Sequence, residues 1–341
     1  MVTQKPGSTR GGTSNPVCYD SGTVPDRPLA LSLCIRMTGS AAFAALARPL
    51  RAAAAFALFA ALSGFALPAP AAERYEHGLL WRIEGSNAPA SHVFGTVHLA
   101  DPRVTSLPPE VTREFNQARS LTLEAGLDPA SVLVLAGRMV FDDGRDLPGV
   151  AGVELFNRAA RLTAGLGLPE PMVRLFRPWA VALLLSVPPQ DPLNVLDLVL
   201  ARLAAEQGKP VHELESMDEQ ISVFEGMSQQ DQVALLKQAV DEYERMPRLI
   251  RRVVDAYLAR DLAGIWRISQ ESVDKGEEER RLNEVFSRRL LHERNVRMAE
   301  RAEPRLREGG AFIAVGALHL YGSGGVLSLL ERRGWRVTRV Y

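Results

Sequence analysis

Hydrophobic and polar positions change their period along this chain. Leu79-Leu80-Trp81-Arg82-Ile83-Glu84 and Ser91 to Phe94 are short apolar runs separated by the turn-forming Gly85-Ser86-Asn87-Ala88-Pro89, so they read as a β-hairpin. Leu107-Pro108-Pro109-Glu110 then starts a helix over Val111 to Ala118, with Val111, Phe115 and Ala118 on one face. Ser120-Leu121-Thr122-Leu123-Glu124 alternates as a strand and ends on a carboxylate. From Asp128 to Gly208 the spacing is helical, over Pro129 to Val140, Gly152 to Ala164, Pro171 to Ser186 and Val195 to Gln207. Within it Trp179 to Leu185 is apolar all round, which in so short a run means a buried helix.

Lys209 to Glu215 returns as a strand, and helices follow over Asp218 to Phe224, Asp231 to Arg245, Pro247 to Ala259 and the charged stretch 277–303. The chain closes with a strand over Ala311 to Val315, a helix over Gly322 to Arg332 and a strand over Trp335 to Tyr341. Strand and helix alternate at both ends around a helical middle of about 128–303. That predicts an α/β fold, a mixed central sheet carrying a large helical insertion.

One echo stands out in this pattern. Val93-Phe94-Gly95-Thr96-Val97-His98-Leu99 and Ala314-Val315-Gly316-Ala317-Leu318-His319-Leu320 each end an apolar strand in Gly-x-x-His-Leu. Each histidine then stands just past a strand's carboxyl end, where open α/β sheets build their sites. Two copies in matching contexts predict a shared site, with His98 and His319 within about 10 Å of each other.

The amino terminus changes what the composition means. Residues 1–36 are rich in Gly, Ser, Thr and Pro and read as a non-native or disordered extension before Met37. From Met37 the pattern is a secretory signal over 37–72: Arg48 and Arg51, an apolar run from Ala52 to Ala66, then Ala69-Pro70-Ala71 as a cleavage site. The expected location is periplasmic or secreted, with no stable membrane span after cleavage; an uncleaved amino-terminal anchor is the alternative. Of the 40 basic and 40 acidic residues, six and two lie before residue 73, leaving 34 and 38 in the domain expected over 73–341. Nothing in that balance suggests a nucleic-acid surface. Both cysteines, Cys18 and Cys34, also lie upstream, which excludes a disulfide, a thiolate nucleophile or a thiolate metal site in that domain.

Chemistry therefore rests on His, Asp and Glu. Glu124 ends its strand as His98 does, and alternation in the 209–215 strand puts Val211, Glu213 and Glu215 on one face, Glu215 at the end. If these strands are neighbours, two imidazoles and two carboxylates converge at one edge. Such a set can hold a divalent metal and leave one carboxylate as a general base; without metal, it could still do acid–base hydrolysis. The remaining groups have plainer readings. His212 reads as facing solvent, His77 and His92 as loop or edge residues, and the charges of 277–303 as a solvated face. An Asn within that helix is disfavoured, and Asn295 has no explanation in propensity.

Taken together the residues resemble the TraB/GumN/Tiki family, within the wider erythromycin-esterase and ChaN-like superfamily. The elements that carry the resemblance are Phe94-Gly95-Thr96-Val97-His98-Leu99, Leu121-Thr122-Leu123-Glu124, Val195-Leu196-Asp197 and Gly208-Lys209-Pro210-Val211. Glu213-Leu214-Glu215-Ser216 with Glu219-Gln220, then Arg294-Asn295, then Val315 to Gly322, complete them in order. Glu213 departs from the family pattern, which more often has Gly there. The resemblance implies a mixed α/β fold with both histidine motifs at the site, and animal members described as Mn- or Co-dependent peptidases. It makes His98 and His319 the motif histidines, Glu124 and Glu215 the motif acids, and Arg294 with Asn295 the polar pair.

Two functions follow as expectations. In the first, the chain is an exported metal-dependent hydrolase, metallopeptidase-like, with a Mn, Co or Zn ion and a peptide or small-molecule substrate. One acid joins the histidines at the metal, the other activates water, Arg294 stabilises the oxyanion or a substrate carboxylate, and Asn295 orients it. In the second, it is a non-catalytic periplasmic peptide-binding or sequestering protein with the same pocket.

Overall fold

The computed structural model describes residues 74–85, 87–126, 129–271 and 276–341. The expected extension and signal segment lie outside the described residues. Strands β1 (Leu80–Glu84) and β2 (Ser91–Thr96) form the expected hairpin, pairing Leu80 with Phe94 and Ile83 with Ser91. Helix α1 (Pro109–Gln117) follows; it starts on proline, which has no N–H to satisfy there, and buries Val111 and Phe115. Then come β3 (Ser120–Ala125), the helical middle, β4 (Val211–Glu215), β5 (Ala311–Gly316) and β6 (Arg336–Arg339).

The six strands make one mixed sheet in the order β4-β3-β5-β2-β1-β6. Strands β4, β3, β5 and β2 run parallel, while β1 is antiparallel to both of its neighbours. Late strand β5 is inserted between early strands β2 and β3, so the two histidine motifs, distant in sequence, lie side by side. Burial of β5 and β2 on both faces is what their unbroken apolar runs encode. Phe312 of β5 joins the layers, edge-on to Phe115 of α1 at 5.3 Å.

The helices used below are α2 (Pro129–Arg138), α3 (Val153–Gly165), α4 (Pro178–Leu185), α5 (Leu196–Glu206), α6 (Met217–Glu225), α7 (Gln229–Glu242), α8 (Met246–Leu258), α9 (Leu262–Gln270), α10 (Glu277–Ser287), α11 (Glu293–Glu308) and α12 (Val326–Arg332). Two apolar cores result. One lines the sheet; the other lies within the helical middle, where α4 is buried throughout and Trp179 stacks on Phe224 at 5.5 Å.

Several boundaries differ from the sequence reading. The helix expected over Pro171 to Ser186 is two, Glu170–Val173 and α4, because Arg177 is extended (ψ 150°) ahead of Pro178. The charged stretch is not continuous α-helix: a π-helical segment, Arg288–His292, joins α10 to α11. Helix α12 starts later than expected, after Gly322 turns with φ +80°. Helix α9 is an addition to the expected elements; Asp261 caps it by accepting from the Gly264 N–H at 2.8 Å.

Candidate functional site

The carboxyl ends of the four parallel strands carry, in order, Glu215 (last in β4), Glu124 (next to last in β3), His319 (after β5) and His98 (after β2). Pairing of Ala125 with Glu215, Leu123 with Ala314 and Thr96 with Gly316 sets these ends level. A 3₁₀ turn, Ala317–His319, brings the second histidine back over the sheet edge. The floor of the cleft is Gly316. A Cβ there would lie 3.4 Å from Glu124 Oε2, 3.4 Å from His319 Cδ2 and 3.9 Å from His98 Nε2. Both rings thus share one cleft, well inside the expected separation. Gly95 instead keeps the two motifs in contact. A side chain there would meet Leu320 Cδ1 at 2.8 Å and Ala317 Cα at 3.2 Å, wedging them apart.

Each ring is anchored through Nδ1. His98 Nδ1 lies 2.7 Å from Asp197 Oδ2, and the other oxygen of Asp197 accepts from Thr96 Oγ1 at 3.1 Å. Asp197 is buried in the first turn of α5, where the helix amino terminus favours its charge. Burial opposes a charge on His98, but Asp197 and, less strongly, Glu124 together outweigh it and the pKa is raised. The backbone is pinned as well, with Tyr257 of α8 donating to Gly95 O at 2.9 Å and Gln190 donating to His98 O at 3.1 Å.

His319 Nδ1 lies 2.6 Å from Asn295 Oδ1. Asn295 Nδ2 donates to Gly324 O at 2.9 Å, which fixes the amide so that Oδ1 must accept and His319 Nδ1 must carry the proton. Burial pushes the pKa of His319 down to about 4 despite Glu124, with Arg294 adding to the shift. Its Nε2 lone pair therefore faces Glu124 Oε2, 3.7 Å away.

Glu124 is buried, yet its carboxyl is held well below the usual range: burial alone would raise it, but Arg294, His319 and His98 all favour the charge. Its Oε2 also accepts the Gly316 N–H at 3.0 Å, while Oε1 accepts from Arg294 Nη2 and from Gln220 Nε2 at 3.2 Å. Glu215 stands one row back. One of its oxygens takes Arg294 Nε at 2.7 Å and the other takes Arg297 Nη2 at 2.9 Å.

Some expectations need correcting. Arg294 and Asn295 do not lie on a solvated face; their exposures are 1% and 3%. Arg294 spends its Nε and Nη2 on the two glutamates, and Nη1 points to Leu290 O at 3.5 Å, so it holds Glu124 instead of reaching out to a substrate. Asn295 orients His319, not Arg294. His92 is no edge residue: it is buried in β2, with Nε2 3.5 Å from Glu114. Glu213 is exposed, crossing over Gly126, and His212 is half-buried beside Arg305. Asp197 and Gln220 stand out in the sequence only as motif letters. The signal for Asp197 is an acid in the apolar run Val195 to Leu200, which only a partner or a special site allows.

Among the described residues, no group of three or more His, Cys, Asp or Glu side chains closes up enough to hold a metal ion as it stands. The donor chemistry at the cleft nevertheless fits one. Two ligands around a zinc-sized ion sit roughly 3.3–3.5 Å apart, a few tenths of an ångström less than the His319–Glu124 separation. An unprotonated ring nitrogen facing a carboxylate oxygen is an arrangement that a cation resolves.

A mixed sheet gathering two histidines and a carboxylate at its parallel carboxyl ends defines a class: an α/β protein with a buried histidine–carboxylate cluster at the ends of its parallel strands. The chain belongs to the TraB/PrgY/gumN family, whose model matches residues 79–339. Among curated proteins it is similar to Metalloprotease TIKI2 of Danio rerio, 24% identical over 79% of this chain and 62% of the relative. It is similar also to Metalloprotease TIKI1 of Danio rerio (24%, covering 76% and 63%) and to Uncharacterized protein YbaP of Escherichia coli (strain K12) (22%, covering 70% and 87%). The chain thus spans less than two thirds of the length of the two metalloproteases. No solved structure matches.

Proposed function

We propose that this protein is an exported, metal-dependent hydrolase of peptide bonds. The observation that carries the reading is the pair of Nδ1 anchors, 2.7 Å to Asp197 and 2.6 Å to Asn295, at two rings that share one cleft with Glu124. Orienting imidazole through its far nitrogen is how proteins prepare it as a ligand. Two similar proteins bearing the name metalloprotease support the reading, and the pattern over residues 37–72 supports export. Among the described residues no helix is long and apolar enough to cross a membrane.

In this reading His98, His319 and Glu124 hold a divalent ion, with Mn, Co and Zn as the candidates. When bound, the ion supplies Lewis acidity to polarise a scissile carbonyl. Glu124 suits a ligand better than a base, because a base works best with a pKa near the working pH and Arg294 holds this one far lower. Arg294, braced by Glu215, keeps Glu124 ionised and fixed. Asp197 lies against the His98 ring at Nδ1 and favours its charge.

The test is metal content of the purified protein, followed by peptide cleavage with chelator and with added Mn(II), Co(II) or Zn(II). The expected result is about one ion per chain and cleavage that chelator removes and one of these ions restores. Cleavage untouched by complete metal removal would mean acid–base hydrolysis by the His98–Asp197 pair. Peptide binding without cleavage under any metal would mean a sequestering protein.

A further inference from the structure

Behind Glu215 lies a second cavity, about 290 Å³, lined by Ser222 and Val223 of α6, Arg288 and Arg289 of the π segment, and Glu293 and Arg297 of α11. We propose that it is a binding pocket for a small oxyanion, the carboxylate or phosphate group of a ligand.

Three guanidinium groups line it against a single carboxylate, and the local pairing leaves much of that charge unanswered. Among the described residues no carboxylate lies within 4.0 Å of Arg289; nearby Asp231 feels its charge but is bonded to Arg281. Arg288 reaches Glu293 only at 3.9 Å. Arg297 gives Nη2 to Glu215, while its Nε–H is a buried donor with no acceptor. That Nε is closed off from the open space, so recognition in the cavity rests on Arg288 and Arg289, whose guanidinium groups pair naturally with a carboxylate or phosphate. Ser222 has already given its hydroxyl proton to Glu219 O at 2.7 Å, so recognition falls to the arginines.

Local backbone builds the pocket. Gly226 leaves the space that Arg289 Nη1 fills, since a Cβ there would come within 2.7 Å of it. The π segment adds a residue to its turn, a distortion often found at functional sites. It lets Arg288 and Arg289 line this cavity while Arg294 and Asn295, a turn further on, serve the histidine cleft. Arg297 connects the two, touching Glu215, which touches Arg294.

Calorimetric titration of the purified protein at low ionic strength, with inorganic phosphate and separately with N-acetylglutamate, tests the pocket. Saturable binding of either probe is expected, weakened about tenfold or more by Arg289→Gln and by Arg288→Gln. The exposed Arg161 on α3 controls for net charge, and Arg161→Gln should leave binding unchanged. The tighter probe names the group recognised. The proposal is overturned if neither probe saturates, or if Arg161→Gln weakens binding as much as the pocket variants do. The measurement reads binding alone, so its outcome is independent of whether the neighbouring cleft hydrolyses anything.

Discussion

The two Gly-x-x-His motifs are alike in sequence and unlike in physics. His98 leans on a charged carboxylate, Asp197, and its pKa is raised; His319 leans on a neutral amide, Asn295, and its pKa falls to about 4. Their glycines differ too, Gly95 making room for the other motif's packing and Gly316 opening the cleft itself. A site built from two copies of one motif is therefore not symmetric. One ring keeps a proton readily and the other gives it up, while both turn Nε2 toward the same space. The proposed cation would meet two rings of unequal proton affinity, so the two arms would contribute unequally to one event.

The largest expected effect comes from removing either arm. His98→Ala and His319→Ala should each lose bound metal and turnover together; full hydrolytic activity in both variants would end the reading that this pair of histidines carries the hydrolysis. Next is the brace that serves both arms. Arg294→Met strands the buried Glu124 carboxylate and leaves Glu215 with Arg297 alone, and should cost about 3–5 kcal/mol in chemical denaturation. A loss below about 1 kcal/mol would mean that Glu124 does not carry its charge in the folded protein. Smaller again is the charged anchor alone. Asp197→Asn should weaken metal affinity about 10–100-fold and lower the His98 pKa, followed by ring proton shifts in metal-free protein. An unchanged titration there would erase the contrast between the arms.

Only half of this contrast is legible in the sequence. Strand composition and the repeated tetrad are enough to expect the mixed sheet and to set His98, His319, Glu124 and Glu215 at its edge, because parallel strands expose their carboxyl ends together. The inner bonds are not legible. Arg294 and Asn295 look like surface letters in a charged helix; what buries them is the path of α11 across the edge of the sheet, a tertiary fact. The cost of Asn in a helix is the visible trace of its bond to His319. Period-2 alternation puts Glu213 and Glu215 on one face correctly, but only the strand's end is covered, so one glutamate is exposed and the other buried. The π segment leaves no trace in the pattern, since one extra residue in a turn leaves a charged stretch reading as helix.

The remaining test is the pH dependence of stability in metal-free protein, and there the arms should act with opposite signs. The folded pKa of His98 lies above its ordinary 6.5, so folding binds its proton more tightly. That contribution is fully present below pH 6.5 and is lost as pH rises through the folded pKa. His319 is the reverse. Its folded pKa is about 4 against 6.5, so between those values the unfolded chain binds more protons. Its contribution is present above pH 6.5 and fades as pH falls toward about 4. Denaturation midpoints over roughly pH 4 to 9, compared with those of single variants, separate the two. His98→Gln should flatten the decline on the alkaline side, and His319→Gln the decline on the acid side. If both substitutions flatten the same limb, the anchors do not set the protonation of the rings, and the charged and neutral arms are electrostatically equivalent.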